Sequence, residues 1–365
     1  MTLYIRPLLV LTACSLCVSP GVAREEASRT VTVHVSVHDH EGRPVPAVGI
    51  SSKLNVPHGS RYVGSSPPPF TNANGQAVVE AVVPASTTSI DIGIAAAVRE
   101  PLTAPEIRGA TTRLRDLKRI HSFQSGYPVP LVAGQDQYTL TISTKPAVTI
   151  SGRLVDAQGQ PLASGGAIAR SCDCATGSNR SGPNAGAFEL VGVPRGEPAQ
   201  MVVLTDGRIG RFLQLSAEQT QTDLNLGNIA LAPIEGASKA RLLATENPPM
   251  PGSARMYTVV SEDAATIMTV MVDAADGRPR TPWLEPGQGW LPPGRYYVIP
   301  NSIGFGGDDT GWLLLDLIRS GRAAARSELP SFTAIANEEV AVTIDPVDTA
   351  AKIRAAAQAE GIAVD

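Results

Sequence analysis

After its first two dozen positions the chain has no run of eighteen consecutive apolar residues, so the mature protein is expected to carry no spanning helix. Its net charge of -4 lacks the basic excess that a general nucleic-acid binder uses to neutralise phosphates. No H-E-x-x-H, G-x-S-x-G, P-loop or dinucleotide fingerprint occurs, which removes the common motif-bearing enzyme classes. Lysine is confined to Lys53, Lys118, Lys145, Lys239 and Lys352, none of them expected in the strands that end at Asp39 or Asp156. A lysine-to-asparagine crosslink from a first strand therefore has no nucleophile. Aromatic residues are only 4% of the chain, whereas glycine (34) and proline (30) are plentiful without collagen triplets, so many short segments are joined by many turns.

The N-terminus reads as an export signal over residues 1–23. Arg6 is the positive region, Leu8 to Val18 the apolar region, and Ser19 to Ala23 a small-residue cleavage site. A competing reading places Cys14, after Leu11, Thr12 and Ala13, in a lipobox-like site, and only this reading gives the protein a membrane anchor. Export leaves Cys172 and Cys174, one residue apart. In an oxidising compartment they either close a tight disulfide or stay free, and a metal site would need further soft ligands that the neighbouring sequence lacks.

Strand signals dominate the rest. Val31, Val33, Val35 and Val37 alternate with Thr32, His34, Ser36 and His38, the period of a half-buried strand. This strand runs into Asp39-His40-Glu41-Gly42-Arg43-Pro44, and the construction returns as Asp156-Ala157-Gln158-Gly159-Gln160-Pro161. In each, Asp is expected to cap the turn, Gly to take the left-handed position and Pro to extend the exit. Both copies continue alike, through Asn72 to Gly75 and Val83-Pro84 in the first, and through Asn184 to Gly186 and Val193-Pro194 in the second. A third ending is Leu291-Pro292-Pro293-Gly294-Arg295-Tyr296. Repeats of roughly 100 residues fit small sandwiches.

The runs from Gly152 to Leu162, Gly186 to Phe188 and Leu291 to Tyr296 resemble the carboxypeptidase regulatory-like family of transthyretin-like β-sandwich modules found in exported bacterial proteins. The likeness is good over 146–233, fair over 28–95 and rests on the closing turn and strand over 234–348. Ser86 departs from the pattern, which has Gly there. The resemblance implies a fold and a compartment more than an activity, since its motifs specify turns. The expectation is an all-β chain of three tandem transthyretin-like or Ig-like sandwiches: module 1 over 24–145, module 2 over 146–233 and module 3 over 234–348. A short C-terminal helix over 349–365 follows, capped by Asp348 and stopped by Gly361.

Three candidate sites emerge. A basic insertion over 99–121 carries Arg99, Arg108, Arg113, Arg115, Lys118 and Arg119, a patch that would meet an acidic partner; Leu114, Leu117 and Ile120 give it a short helix. Trp283, Trp290, Trp312 and Tyr296 concentrate in the last third and would stack on sugar rings if exposed, with at most one of Tyr296 and Tyr297 facing the core. His34, His38 and His40 share one parity and are the candidate ligands of a metal-dependent enzyme. A second short helix is expected over Trp312 to Arg319, after a glycine-rich loop containing Asp308 and Asp309. The favoured reading is an exported, non-catalytic scaffold or binding module of the bacterial envelope, periplasmic or extracellular, without a cofactor, meeting a protein or polysaccharide through loops and strand edges. Oligomeric state is open. A carbohydrate binder and a histidine metalloenzyme are the alternatives.

Overall fold

The computed structural model describes residues 27–56, 59–64, 68–95, 114–124, 126–163, 165–169, 184–205, 210–232, 240–247, 255–264, 266–272, 289–300 and 310–362. The signal segment, Cys14, Cys172, Cys174, Arg99, Arg108, Arg113, Trp283, Asp308 and Asp309 lie outside these residues.

One strand arrangement occurs three times. In module 1, β1 (Ser28–His38) lies between β4 (Gln76–Pro84), antiparallel to it, and β8 (Gln137–Ser143), parallel to it. In module 2, β9 (Lys145–Val155) lies likewise between β11 (Ala187–Pro194) and β14 (Leu224–Ala230). This corrects the expectation that the strand ending at Asp156 holds no lysine: it begins on Lys145, whose ammonium pairs with Glu197 at 2.6 Å. In module 3, β15 (Ala240–Glu246) lies between β18 (Gly289–Leu291) and β21 (Glu339–Ile344). A second sheet faces each triplet. These are β3 (Gly59–Tyr62), β2 (Gly49–Val56), β5 (Ser89–Ala95) and β7 (Tyr127–Pro130) in module 1, and β10 (Gly166–Ala169), β12 (Ala199–Leu204) and β13 (Arg211–Leu215) in module 2. In module 3 they are β17 (Ile267–Val272), β16 (Arg255–Ser261), β19 (Gly294–Ile299) and β20 (Ser331–Ala334). The expected all-β architecture of three tandem sandwiches is thus observed.

Alternation builds each core. Val31, Val33, Val35 and Val37 are fully buried on β1 and meet Ala77, Val79, Ala81 and Val83 of β4 on the same face. Each buried valine contributes about 1.5–3 kcal/mol relative to exposure. The two hairpins after the first strands are superimposable in their bonding. Asp39 Oδ1 accepts the N–H of Glu41 and Arg43, and Asp156 Oδ1 accepts those of Gln158 and Gln160, at 2.8–2.9 Å. Gly42 and Gly159 take the left-handed turn with φ of 80° and 78°. Further along, Gly75 and Gly186 accept Val37 N–H and Leu154 N–H on their carbonyls. A Cβ at either would lie 2.4 Å from a β1 or β9 carbonyl, so these positions exclude any side chain.

The helices depart in detail from the sequence reading. Residues 114–120 form α1, and Thr310–Arg319 forms α2, as expected for the insertion and for Trp312 onward. The last helix, α3, spans Pro346–Ala359, beginning three residues before the expected Thr349. Its cap is Asp345, whose carboxylate accepts the N–H of Val347 and Asp348, and Pro346 supplies the ready-made first helical position. Asp348 instead lies in the first turn and pairs with Lys352 at 2.5 Å.

Candidate functional site

The chemistry that departs from isolated sandwiches gathers at the two junctions between modules. At the first, only Thr144 separates β8 from β9, so one extended run passes from module 1 into module 2. Thr144 is buried, its N–H bonds to His38 O at 2.9 Å and its hydroxyl meets His121 Nδ1 at 3.0 Å. His121 and Ser122 form β6, which pairs with Pro146 and Lys145 at the start of β9. Ahead of β6, α1 turns Leu114 and Leu117 onto the module 1 core and its basic side chains toward β11. Both Arg115 and Arg119 pair with Glu189 of β11, Arg119 at 2.6 Å. Lys118 is 5% exposed and packs where a Cβ on Gly192 would lie 3.6 Å from it. The described part of the basic insertion therefore braces module 2, which the sequence reading missed because Glu189 lies about seventy residues away.

Two titratable groups sit beside this junction. Burial opposes ionisation of Asp39, but the Arg43 side chain and the backbone N–H groups of Arg43 and Glu41 outweigh it and hold the carboxyl at about 2. Burial pushes the His121 imidazole below its usual value; Asp39 opposes this, while His40 and Arg43 reinforce it.

The second junction is apolar. Trp312, Leu313, Leu314, Leu315, Leu317 and Ile318 of α2 are all buried, so the helix is enclosed on every side. One flank is module 2, through Ile168, Val202 and Phe212; the other is module 3, through Val260, Ile267, Tyr297 and Ile299. Ile353, Ala356 and Ala357 of α3 complete the layer. Phe212 meets Trp312 edge to face at 6.5 Å, and the Arg319 guanidinium lies 4.2 Å over the Phe212 ring. Polar seams flank this layer: Gln200 Nε2 donates to Asp316 Oδ1 at 3.1 Å, Arg319 to Gln214 Oε1 at 2.8 Å, and Gly210 N–H to Ile267 O at 3.1 Å. The Tyr297 hydroxyl is buried in module 3 without a hydrogen-bond partner among the described residues.

Burial of both faces of β19 corrects two expectations. Tyr296 and Tyr297 are 1% and 0% exposed: Tyr296 faces the sandwich core, stacks on Phe332 at 5.7 Å and donates to Pro292 O, while Tyr297 faces the helical layer. Trp312, 4% exposed, lies in that layer too, so neither Tyr296 nor Trp312 presents a ring to a sugar. Trp290 lies in β18, its backbone paired with Arg241. His34 and His40 are exposed and His38 half-buried; His34 meets Gln137 at 3.4 Å and His40 meets Glu41 at 3.7 Å. Among the described residues, no three His, Cys, Asp or Glu side chains are grouped to hold a metal, so the histidine triplet does not converge. No described helix is long and apolar enough to cross a membrane.

No family model matches the chain, and no curated protein matches it. Among solved structures, similarity is found to the Bacillus anthracis TIE protein, 9% identical over 87% of this chain and 50% of that one, with a TM-score of 0.20. A streptococcal ancillary pilin is 14% identical over 56% of this chain and 62% of its own, at 0.23. BcpA, the major pilin subunit of Bacillus cereus, is 8% identical over 87% of this chain and 99% of its own, at 0.19. The chain thus spans half of the first structure and less than two thirds of the second. At such scores these likenesses carry no argument, and the sandwich architecture rests on the sheets themselves.

Proposed function

We propose that the chain is an exported, non-catalytic scaffold or binding module of the bacterial cell envelope, made of three carboxypeptidase regulatory-like sandwiches over 24–145, 146–233 and 234–348 with a closing helix over 349–365. The observation that supports it is the use of the junctions. Surfaces that separate domains would leave as clefts are filled here by α1 with its Glu189 clamp and by α2 with its apolar layer. Clefts between domains are preferred places for small-molecule sites, and filling them favours a presenting framework over a reaction chamber. Recognition then falls to loops and strand edges, with a protein or polysaccharide of the envelope as partner.

Residues 1–23 direct export in this reading. Fractionation of cells expressing the full chain, with mass spectrometry of its N-terminus, tests it. The expected result is envelope or extracellular protein beginning at Arg24; lipid on Cys14 would move the same reading to a membrane anchor. Cytoplasmic protein that keeps residues 1–23 would overturn it.

A further inference from the structure

Most sheet edges among the described residues are closed, broken or short. In β7, Leu131 N–H bonds inward to Thr88 O, which turns the positions of Pro128 and Pro130 outward, and neither has an N–H to offer. β14 breaks register between Asn225 and Asn228, with Gly227 at φ 67°. β3, β10 and β20 have four residues each, Phe212 of β13 packs against α2, and β17 is met at Ile267 by Gly210. β21 opens on Glu339, directly after Glu338.

β8 has none of these devices. Its seven residues, from Gln137 to Ser143, include no charge and no proline and pair with β1 without a shift. Asp136 O accepts Thr32 N–H and Thr144 N–H donates to His38 O, so even-numbered residues turn their backbone groups toward β1. Gln137, Thr139, Thr141 and Ser143 turn theirs away, and their side chains are exposed. Among the described residues, the bond on that side is from Gln135 Nε2 to the Gln137 carbonyl. An open, uncharged, regular edge is a template for another strand, which natural proteins block unless it is used.

We infer that β8 joins two copies of this chain, pairing antiparallel with its counterpart about a two-fold axis at Leu140. Symmetric pairing sets Thr139 opposite Thr141 of the second copy, and Gln137 opposite its Ser143. About that axis every residue that points its backbone at the partner is uncharged, so no pair is repulsive, and threonine pairs across strands are favourable. The ends agree with that register. β6 occupies the strand at Lys145, and the chain before Gln137 turns away where Gln135 N–H bonds to Val132 O, so the partner leaves the edge before β6 blocks it. This inference stands apart from the envelope reading, because it concerns only association in solution.

Sedimentation of residues 24–365 tests it. The wild-type chain is expected at twice the monomer mass, T139K/T141K at the monomer mass because lysines then face lysines, and T139K/T141E at twice the monomer mass because lysine then faces glutamate. A monomeric wild type, a dimer that survives T139K/T141K, or failure of T139K/T141E to pair overturns the assignment. Should the variants misfold by circular dichroism, hydrogen exchange of the wild-type chain decides: Thr139 and Thr141 amides gain protection as concentration rises, and amides that exchange freely in the dimer overturn it.

Discussion

Between modules 1 and 2 the side-chain clamp is ionic, Arg115 and Arg119 on Glu189 with side chains 43%, 48% and 22% exposed, beside the short β6–β9 pairing and the packed Lys118, whereas modules 2 and 3 meet through a helix with six consecutive or near-consecutive buried apolar residues. Partly exposed ion pairs are weak and screened by salt, while buried apolar area is neither. The first junction should therefore yield to ionic strength and pH, and the second only to changes that remove volume. A covalent run through Thr144 keeps the first junction aligned even when its ion pairs are lost.

The largest way to break the contrast is Leu317→Ala in α2. It should destabilise modules 2 and 3 together by about 2–5 kcal/mol, read by denaturant unfolding, with little dependence on salt. A smaller effect of opposite sign should follow Tyr297→Phe, which removes a buried unpaired hydroxyl from the same junction and should raise stability by about 1 kcal/mol in the same assay. Glu189→Ala should cost no more than about 1 kcal/mol, and the difference from wild type should shrink in high salt. Sodium chloride titration of the unfolding midpoint checks this.

The smallest effect concerns His121. Its native state favours the neutral imidazole, so the unfolded chain takes up a proton first as pH falls below about 6.5. The stability associated with this group is complete above that value and declines as pH drops toward the native one. Asp39, held at about 2, remains ionised throughout this window. His121→Gln should flatten the decline in stability as pH falls below about 6.5, measured by unfolding at a series of pH values.

Much of the fold was legible because it is local. Asp39 with Gly42, and Asp156 with Gly159, state their hairpins within five residues, and the valine alternation of β1 names its buried face outright. The cap of α3 was misplaced because Asp345 and Asp348 both suit that role, and only Pro346 between them signals the earlier start. The junctions were not legible. Arg115 and Arg119 look like a patch for a partner until β11 brings Glu189 to them. Tyr297 seems destined for the outside of its sheet until α2 covers it. The one available signal was α2 itself, since Trp312 to Ile318 is apolar around the whole helix apart from Asp316, and a helix inside two layers has that composition.

That α2 makes modules 2 and 3 one cooperative body is most directly tested by native-state hydrogen exchange of the Val202 and Val260 amides, one from each module, in wild type and Leu317→Ala. Both amides are expected to open with the same free energy, and the substitution to lower both equally. Loss of protection at Val260 with Val202 unchanged would contradict it.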